Sequence, residues 1–125
     1  LLRGIDDVFS IPVSRHTEVK KEDLTEKGID VLVESKESGV AIAVNKDRSQ
    51  IFSFGHLEYD RTTIAHEFFR DRETGEEINI PKNYFLNNDP SSVPILSWRA
   101  NAKTFFQNWI NLVYQKTPYH LPDPK

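Results

Sequence analysis

Short apolar runs in the first half of the chain alternate with polar segments and predict four β-strands. The runs are rich in Val, Ile and Phe, and EDLTEKG, SKESG and NKDRS separate the later ones. The predicted strands cover residues 8–12, 29–34, 40–45 and 50–54. Gly39 lies between the second and third strands, which are therefore expected to form a hairpin. IDVLV, VAIAV and IFSF are apolar at nearly every position, as in α/β proteins whose strands are covered on both faces.

The second half of the chain changes to a helical period. In RTTIAHEFFRDRETG the apolar residues recur every three and four positions, which predicts a helix capped by Asp60 and ended by Gly75. A longer helix is predicted to begin near Ile95 and to end at Pro118. Its apolar stripe consists of Trp98, Ala102, Phe105, Phe106, Trp109, Ile110, Val113 and Tyr114. Because aromatic stripes at helical spacing usually pack, we predict that this one belongs to the core.

Composition narrows the class of protein. The 125 residues are 38% hydrophobic and 28% charged with a net charge of -3, which is typical of an ordinary globular protein. The 16 basic residues are interspersed with 19 acidic ones, so no nucleic-acid surface is expected. No apolar window approaches the roughly 18 residues of a membrane span and no leader pattern is present, so we expect a cytoplasmic protein without membrane contact.

Two residue types are missing from the sequence. Without cysteine the chain has no disulfide, no thiolate metal site and no thiol nucleophile of its own. It also lacks methionine and begins with Leu1, which leads us to expect part of a longer protein.

A histidine and a glutamate follow the last predicted strand, in IFSFGHLEYDR. Residues two apart in an extended segment point to the same side, so Glu58 can orient the His56 imidazole as a general base. Gly55 would allow a sharp turn or the close approach of a substrate. H-x-E is common by chance, and the alternative is a solvated pair at a strand exit. No metal site is expected, because no recognised ligand spacing joins His56 to His16, His66 or His120.

Four segments of the chain resemble the homoserine O-acyltransferase family, the succinyl- and acetyltransferases that open methionine biosynthesis. They are LLRGIDDVFSIPVSRHTEV, FSFGHLEYDRTTIAHEFFRD, IPKNYFLNNDP and SWRANAKTFFQNWINLVYQKTPY. These motifs occur in family order from Leu1 to about Tyr119, which is nearly the whole chain.

The resemblance implies a fold and a set of site residues. The fold is α/β of the class I glutamine amidotransferase-like type, a flavodoxin-like three-layer sandwich. Residues 1–125 would be its carboxy-terminal portion, with short strands followed by two helices, in one catalytic domain. In the implied Cys-His-Glu triad, His56 is the base and Glu58 its partner. Arg70 of EFFRD and Ser14 of PVSR would contact the amino-acid substrate, although Arg70 also fits a solvated helix face.

The resemblance also implies a reaction. An acyl group would pass from acyl-CoA, as co-substrate, to the side-chain hydroxyl of L-homoserine through an acyl-cysteine, without another cofactor. The cysteine would belong to a missing amino-terminal half of the same protein, and the family suggests a homodimer. The choice between succinyl and acetyl donors would be set in that half.

Two departures from the family pattern keep other functions open. PVSR stands where the family has PHSR, and WRANAK where it has WRSHGN, so polar groups of the family are lost. L-Serine is therefore an alternative acceptor, leading to cysteine synthesis. A glutaminase-type hydrolase that shares H-x-E and a non-catalytic remnant are further alternatives.

Overall fold

A computed structural model describes residues 1–124 and shows an α/β arrangement. Its sheet is antiparallel, with the order β1-β2-β3. The strands are β1 (Asp30–Ser35), β2 (Gly39–Val44) and β3 (Ile51–Ser53). The helices are α1 (Lys21–Glu26), α2 (Thr63–Glu73) and α3 (Arg99–Lys116), with a short 3-10 turn at Leu86–Asn88. None of the helices within residues 1–124 is long and apolar enough to cross a membrane.

The predicted hairpin is confirmed. Ser35 of β1 pairs with Gly39 of β2, and Asp30 pairs with Val44 at the other end. Gly39 has φ +72°, a conformation that costs glycine little and other residues more. The turn is closed by a 3.0 Å bond from the Ser38 amide to the Ser35 hydroxyl. Local sequence therefore determines this pairing.

Strand β2 is the centre of the sheet and is covered on both faces. Every residue from Val40 to Val44 is at most 7% exposed. Ile42 packs in the larger core cluster, which includes side chains of α2 and α3, whereas Val40 packs against Leu24 of α1. Strands β1 and β3 are only partly buried. The prediction of strands covered on both faces is thus confirmed for β2 alone.

Helix α2 lies where the periodicity predicts it, but its N-cap is Thr62 and not the predicted Asp60. Asp60 precedes it, and its Oδ1 accepts hydrogen bonds from the Thr62 amide (3.2 Å) and the Thr63 hydroxyl (2.7 Å). Gly75, with φ +84°, lies just beyond the helix end. Burial of Phe68 anchors the helix against the core. Asp60 therefore organises the turn that leads into α2.

One predicted strand and one predicted helix start are wrong. Residues 8–12 form no strand, because Pro12 cannot donate to a ladder and its carbonyl instead accepts the His56 amide at 2.7 Å. Helix α3 begins at Arg99 rather than near Ile95, because the Ile95 amide donates to the Tyr84 carbonyl (2.6 Å) in an extended pairing. In both places a contact with a distant segment overrides the local pattern.

The apolar stripe of α3 is only half buried. Phe105 in the first half is 4% exposed, whereas Ile110 is 61% and Tyr114 71% exposed. The prediction that the whole stripe belongs to the core is therefore wrong for its second half, whose side chains the other described residues leave largely uncovered. A groove of about 520 Å³ runs along this half, with Ile51 and Trp109 in its lining.

Candidate active site

The segment that carries His56 begins at the end of β3 and is held against residues 11–14. The His56 amide donates to the Pro12 carbonyl, and a Cβ on Gly55 would lie closer than 3.0 Å to Ile11 Cγ2. Glycine at position 55 thus permits the close approach of Ile11. The sequence had suggested a sharp turn or a nearby substrate as the reason for this glycine.

The His56 imidazole contacts an acceptor on each edge. Its Nδ1 lies 2.8 Å from Glu58 Oε1, and its Nε2 lies 3.3 Å from the Ser14 carbonyl oxygen. The contact with Glu58 is the shorter of the two and its acceptor is charged, so it favours the tautomer with the proton on Nδ1. Nε2 is then the nitrogen that can accept a proton. The side chains of His56 and Glu58 are 31% and 60% exposed, so a reacting group has room to approach.

Tyr59 covers one face of the imidazole, a contact that the sequence analysis missed. The two rings stack with centroids 4.3 Å apart and planes 9° from parallel. The Tyr59 hydroxyl donates to Glu67 Oε1 at 2.7 Å. Burial, followed by the bond to Glu67 and the negative charge of that residue, raises the pKa of Tyr59 to about 12. The phenol therefore stays protonated at neutral pH.

A cleft of about 400 Å³ lies between the 13–16 segment, helix α2 and the loop around residues 76–81. Ser14 and Glu67 are part of its wall, together with Asp71, Glu76 and Glu77. The second carboxylate oxygen of Glu67, Oε2, is buried and accepts no hydrogen bond from residues 1–124. A buried acceptor without a donor is costly, so this oxygen calls for a donor from substrate, solvent or another part of the protein. Glu67 is the glutamate of the HEFFRD motif, and this motif was the one feature of the sequence that pointed to it.

Arg70 lies apart from the other predicted site residues. Its Nε donates to Asp71 Oδ1 at 2.7 Å, and its side chain is 67% exposed. This bond raises the pKa of Arg70 and lowers that of Asp71. Among the described contacts, the structure brings His56, Glu58 and Ser14 together. Arg70 is linked to this group only indirectly, because its partner Asp71 lines the cleft. Residues 1–124 contain no cluster of three or more side chains that could hold a metal ion.

Comparison with known proteins gives a consistent result. The family model described as homoserine O-succinyltransferase matches residues 1–119. A protein from Clostridium botulinum (strain Eklund 17B / Type B), named homoserine O-acetyltransferase, is 51% identical over 125 residues, covering 98% of this chain and 41% of its own length.

Two further relatives carry the same name. One from Clostridium beijerinckii is 51% identical over 123 residues (97% of this chain, 40% of the relative), and one from Streptococcus pneumoniae (strain Hungary19A-6) is 49% identical over 121 residues (95% and 38%). The chain thus spans about two fifths of the length of the curated relatives it matches. As its motifs predicted, the chain belongs to the homoserine O-succinyltransferase family.

Proposed function

We propose that the protein to which this chain belongs transfers an acyl group from an acyl-CoA to the side-chain hydroxyl of L-homoserine. The observation that carries the proposal is the 2.8 Å contact between His56 and Glu58 beside Ser14 and the cleft. Such a pair is the arrangement of a general base with its orienting carboxylate. Family membership and the names of three relatives support the choice of reaction.

In the first half-reaction a cysteine attacks the thioester. We place this cysteine in a segment outside the chain, since the chain itself has none. Nε2 of His56 takes the thiol proton, and the thiolate sulfur bonds to the acyl carbon. The bond between that carbon and the coenzyme A sulfur breaks, and the coenzyme A thiolate takes the proton from the imidazolium. The product is an acyl-cysteine with a neutral His56.

In the second half-reaction homoserine replaces coenzyme A. Its hydroxyl gives its proton to His56 Nε2 as its oxygen attacks the acyl carbon, and the cysteine sulfur leaves and is reprotonated by the imidazolium. Glu58 stabilises the imidazolium in both steps because it faces Nδ1.

The amino-acid acceptor would occupy the cleft beside His56. Ser14 lies in the wall of this cleft and its carbonyl contacts Nε2, so the cleft adjoins the base. The role of Arg70 rests on the family resemblance, and a planar guanidinium suits a carboxylate. To bind the substrate carboxylate, the Arg70 guanidinium has to use its remaining N–H groups or break its ion pair with Asp71.

The complete catalytic domain would have the glutamine amidotransferase-like fold. The three strands and two long helices described here would form its carboxy-terminal portion, completed by the segment that carries the cysteine. The exposed second half of the α3 stripe supports this, because apolar faces of this kind are normally covered in a folded domain.

Acetyl-CoA is the donor we propose to test first. The three relatives at about half identity are all named homoserine O-acetyltransferase, although the family model carries the succinyl name. Release of free thiol from acetyl-CoA and from succinyl-CoA, each with homoserine or serine as acceptor, distinguishes both the donor and the acceptor.

The decisive variant of the full-length protein is His56→Ala. We expect it to lose thiol release while keeping the wild-type circular dichroism and melting curve. His66→Ala is the matched control, because His66 is exposed on α2 and should keep full activity. Unchanged thiol release from His56→Ala would overturn the assignment. Ammonia release from glutamine by the wild-type protein would favour the hydrolase instead.

A further inference from the structure

Tyr59 is held more firmly than a side chain that only fills space beside the core. Its hydroxyl donates to Glu67 of α2, and its backbone carbonyl accepts the indole N–H of Trp98 at 2.8 Å. Its own amide donates to the His56 carbonyl at 3.2 Å, and its ring also packs against the core cluster. The phenol is therefore fixed at its backbone and at its tip.

The fixed ring restricts the imidazole in a direction that Glu58 does not. A hydrogen bond from Nδ1 to Glu58 leaves the imidazole able to tilt about the axis of that bond. A parallel ring at a centroid distance of 4.3 Å opposes such tilting. The Ser14 carbonyl, at 3.3 Å from Nε2, limits the same motion only weakly.

The ring also has a suitable charge distribution. The face of a tyrosine ring carries partial negative charge and attracts a cation placed over it. His56 is such a cation each time it holds a proton in the proposed reaction. The titratable groups that face it within residues 1–124 are Glu58, in its own segment, and Tyr59, with Glu67 of α2 behind the phenol.

We propose that Tyr59, anchored by Glu67, is a positioning residue that fixes the plane of His56 and stabilises its imidazolium in both half-reactions. This inference rests on the proposed function. Because the base acts on coenzyme A and on the acceptor alike, its support should matter equally for both. A residue that only shapes the acceptor cleft should affect one half-reaction.

The test compares Tyr59→Leu with Tyr59→Phe in the full-length protein. Ping-pong kinetics gives one kcat/KM for the acyl-CoA and another for the acceptor. Tyr59→Leu removes the stacked ring, and we expect both values to fall together by roughly two- to thirty-fold, the range of an aromatic–cation contact. Tyr59→Phe keeps the stacked ring but loses its bond to Glu67, so we expect both values to fall together by less than in Tyr59→Leu.

The control is Tyr84→Phe. The Tyr84 hydroxyl accepts the Ala65 amide and donates to the Arg61 carbonyl within the core, so its loss reports the general cost of removing a buried hydroxyl. We expect lower stability with both kcat/KM values unchanged. Equal losses for Tyr59→Leu and Tyr59→Phe, a loss in one half-reaction only, or no loss for Tyr59→Leu would overturn the proposal.

A spectroscopic measurement separates this inference from the proposed function. The stacked phenol should shift the ring-proton NMR signals of His56 upfield, and the shift should disappear in Tyr59→Leu but remain in Tyr59→Phe. If the wild-type protein releases no thiol, the proposed function fails whatever the NMR result. If it is active but the His56 signals are the same in all three proteins, the stack is absent and the Tyr59 proposal fails alone.

Discussion

Gly55→Ala should separate the two segments that form the candidate active site. The added Cβ would lie closer than 3.0 Å to Ile11 Cγ2 and 3.3 Å from the Pro12 carbonyl oxygen. Carbon atoms in contact need about 3.5–4.0 Å, so residues 11–12 have to move by more than about 0.5 Å. Ile11 is β-branched at the clashing methyl group, so rotation of a flexible side-chain end cannot relieve the contact.

This movement should reduce both stability and activity. Overpacking of this kind costs about 1–3 kcal/mol of unfolding free energy, which urea denaturation measures. The displaced segment also carries Ser14, whose carbonyl contacts His56 Nε2. A misplacement approaching 1 Å at the base can lower the rate on the order of a hundredfold, so we expect kcat/KM for both the acyl-CoA and the acceptor to fall by roughly ten- to a hundred-fold.

A double-mutant cycle with Ile11→Ala tests the steric explanation. Ile11→Ala removes the clashing methyl group, while the Cβ that it keeps would be an acceptable 3.5 Å from the new one. Gly55→Ala should therefore cost less in the Ile11→Ala background than in the wild type. Gly75→Ala is the control, because it meets no neighbour within 4 Å and is strained only by its φ of +84°. An equal cost of Gly55→Ala in both backgrounds would refute the reasoning.

Two further substitutions give independent checks. Glu58→Gln keeps an acceptor for Nδ1 but removes its charge, so kcat should fall by roughly ten- to a hundred-fold. The exposed Glu73→Gln should have no effect on kcat, and equal rates for both variants would contradict the orienting role. Asp60→Asn should lower the melting temperature at neutral pH, because bonds from Thr63 and Thr62 depress the pKa of Asp60. This stabilisation is full above the ordinary value of 3.8 and is lost as the pH falls through the lower folded value, so the difference between the two proteins should shrink there. A difference that grows on acidification would refute this.

Elements built from neighbouring residues could be predicted from the sequence. The β1–β2 hairpin depends on a short turn and on Gly39, and α2 depends on its own periodicity between Asp60 and Gly75. The strand expected at 8–12 fails because strand formation requires a partner, and the Pro12 carbonyl bonds to the His56 amide instead. The burial of the α3 stripe fails for a similar reason, since periodicity identifies an apolar face without saying what covers it.

In the candidate site, too, contacts between near neighbours could be predicted from the sequence and contacts between distant residues could not. His56 and Glu58 are in contact as predicted, but a turn closed by the Tyr59 amide on the His56 carbonyl brings them together, rather than the extended segment assumed from their spacing. The contact of His56 with the Ser14 carbonyl joins residues 42 positions apart, which no local pattern encodes. Tyr59 lies only three positions after His56, yet its stacking on the imidazole depends on the turn that follows β3 and on the anchor from Glu67. The catalytic and substrate-binding roles of these residues stay predictions until the variants are measured.

The exposed half of α3 affects how the protein should be handled. Ile110 and Tyr114 lie on one side of a long helix, near the carboxyl end of the described residues. If the 125-residue chain is expressed alone, these side chains meet water or one another, and association should increase with concentration. The choice of the segment that is expressed for crystallisation or NMR should therefore affect its solubility. The isolated chain should stay in solution best at low concentration, or when the proposed cysteine-bearing segment is added as a separate polypeptide.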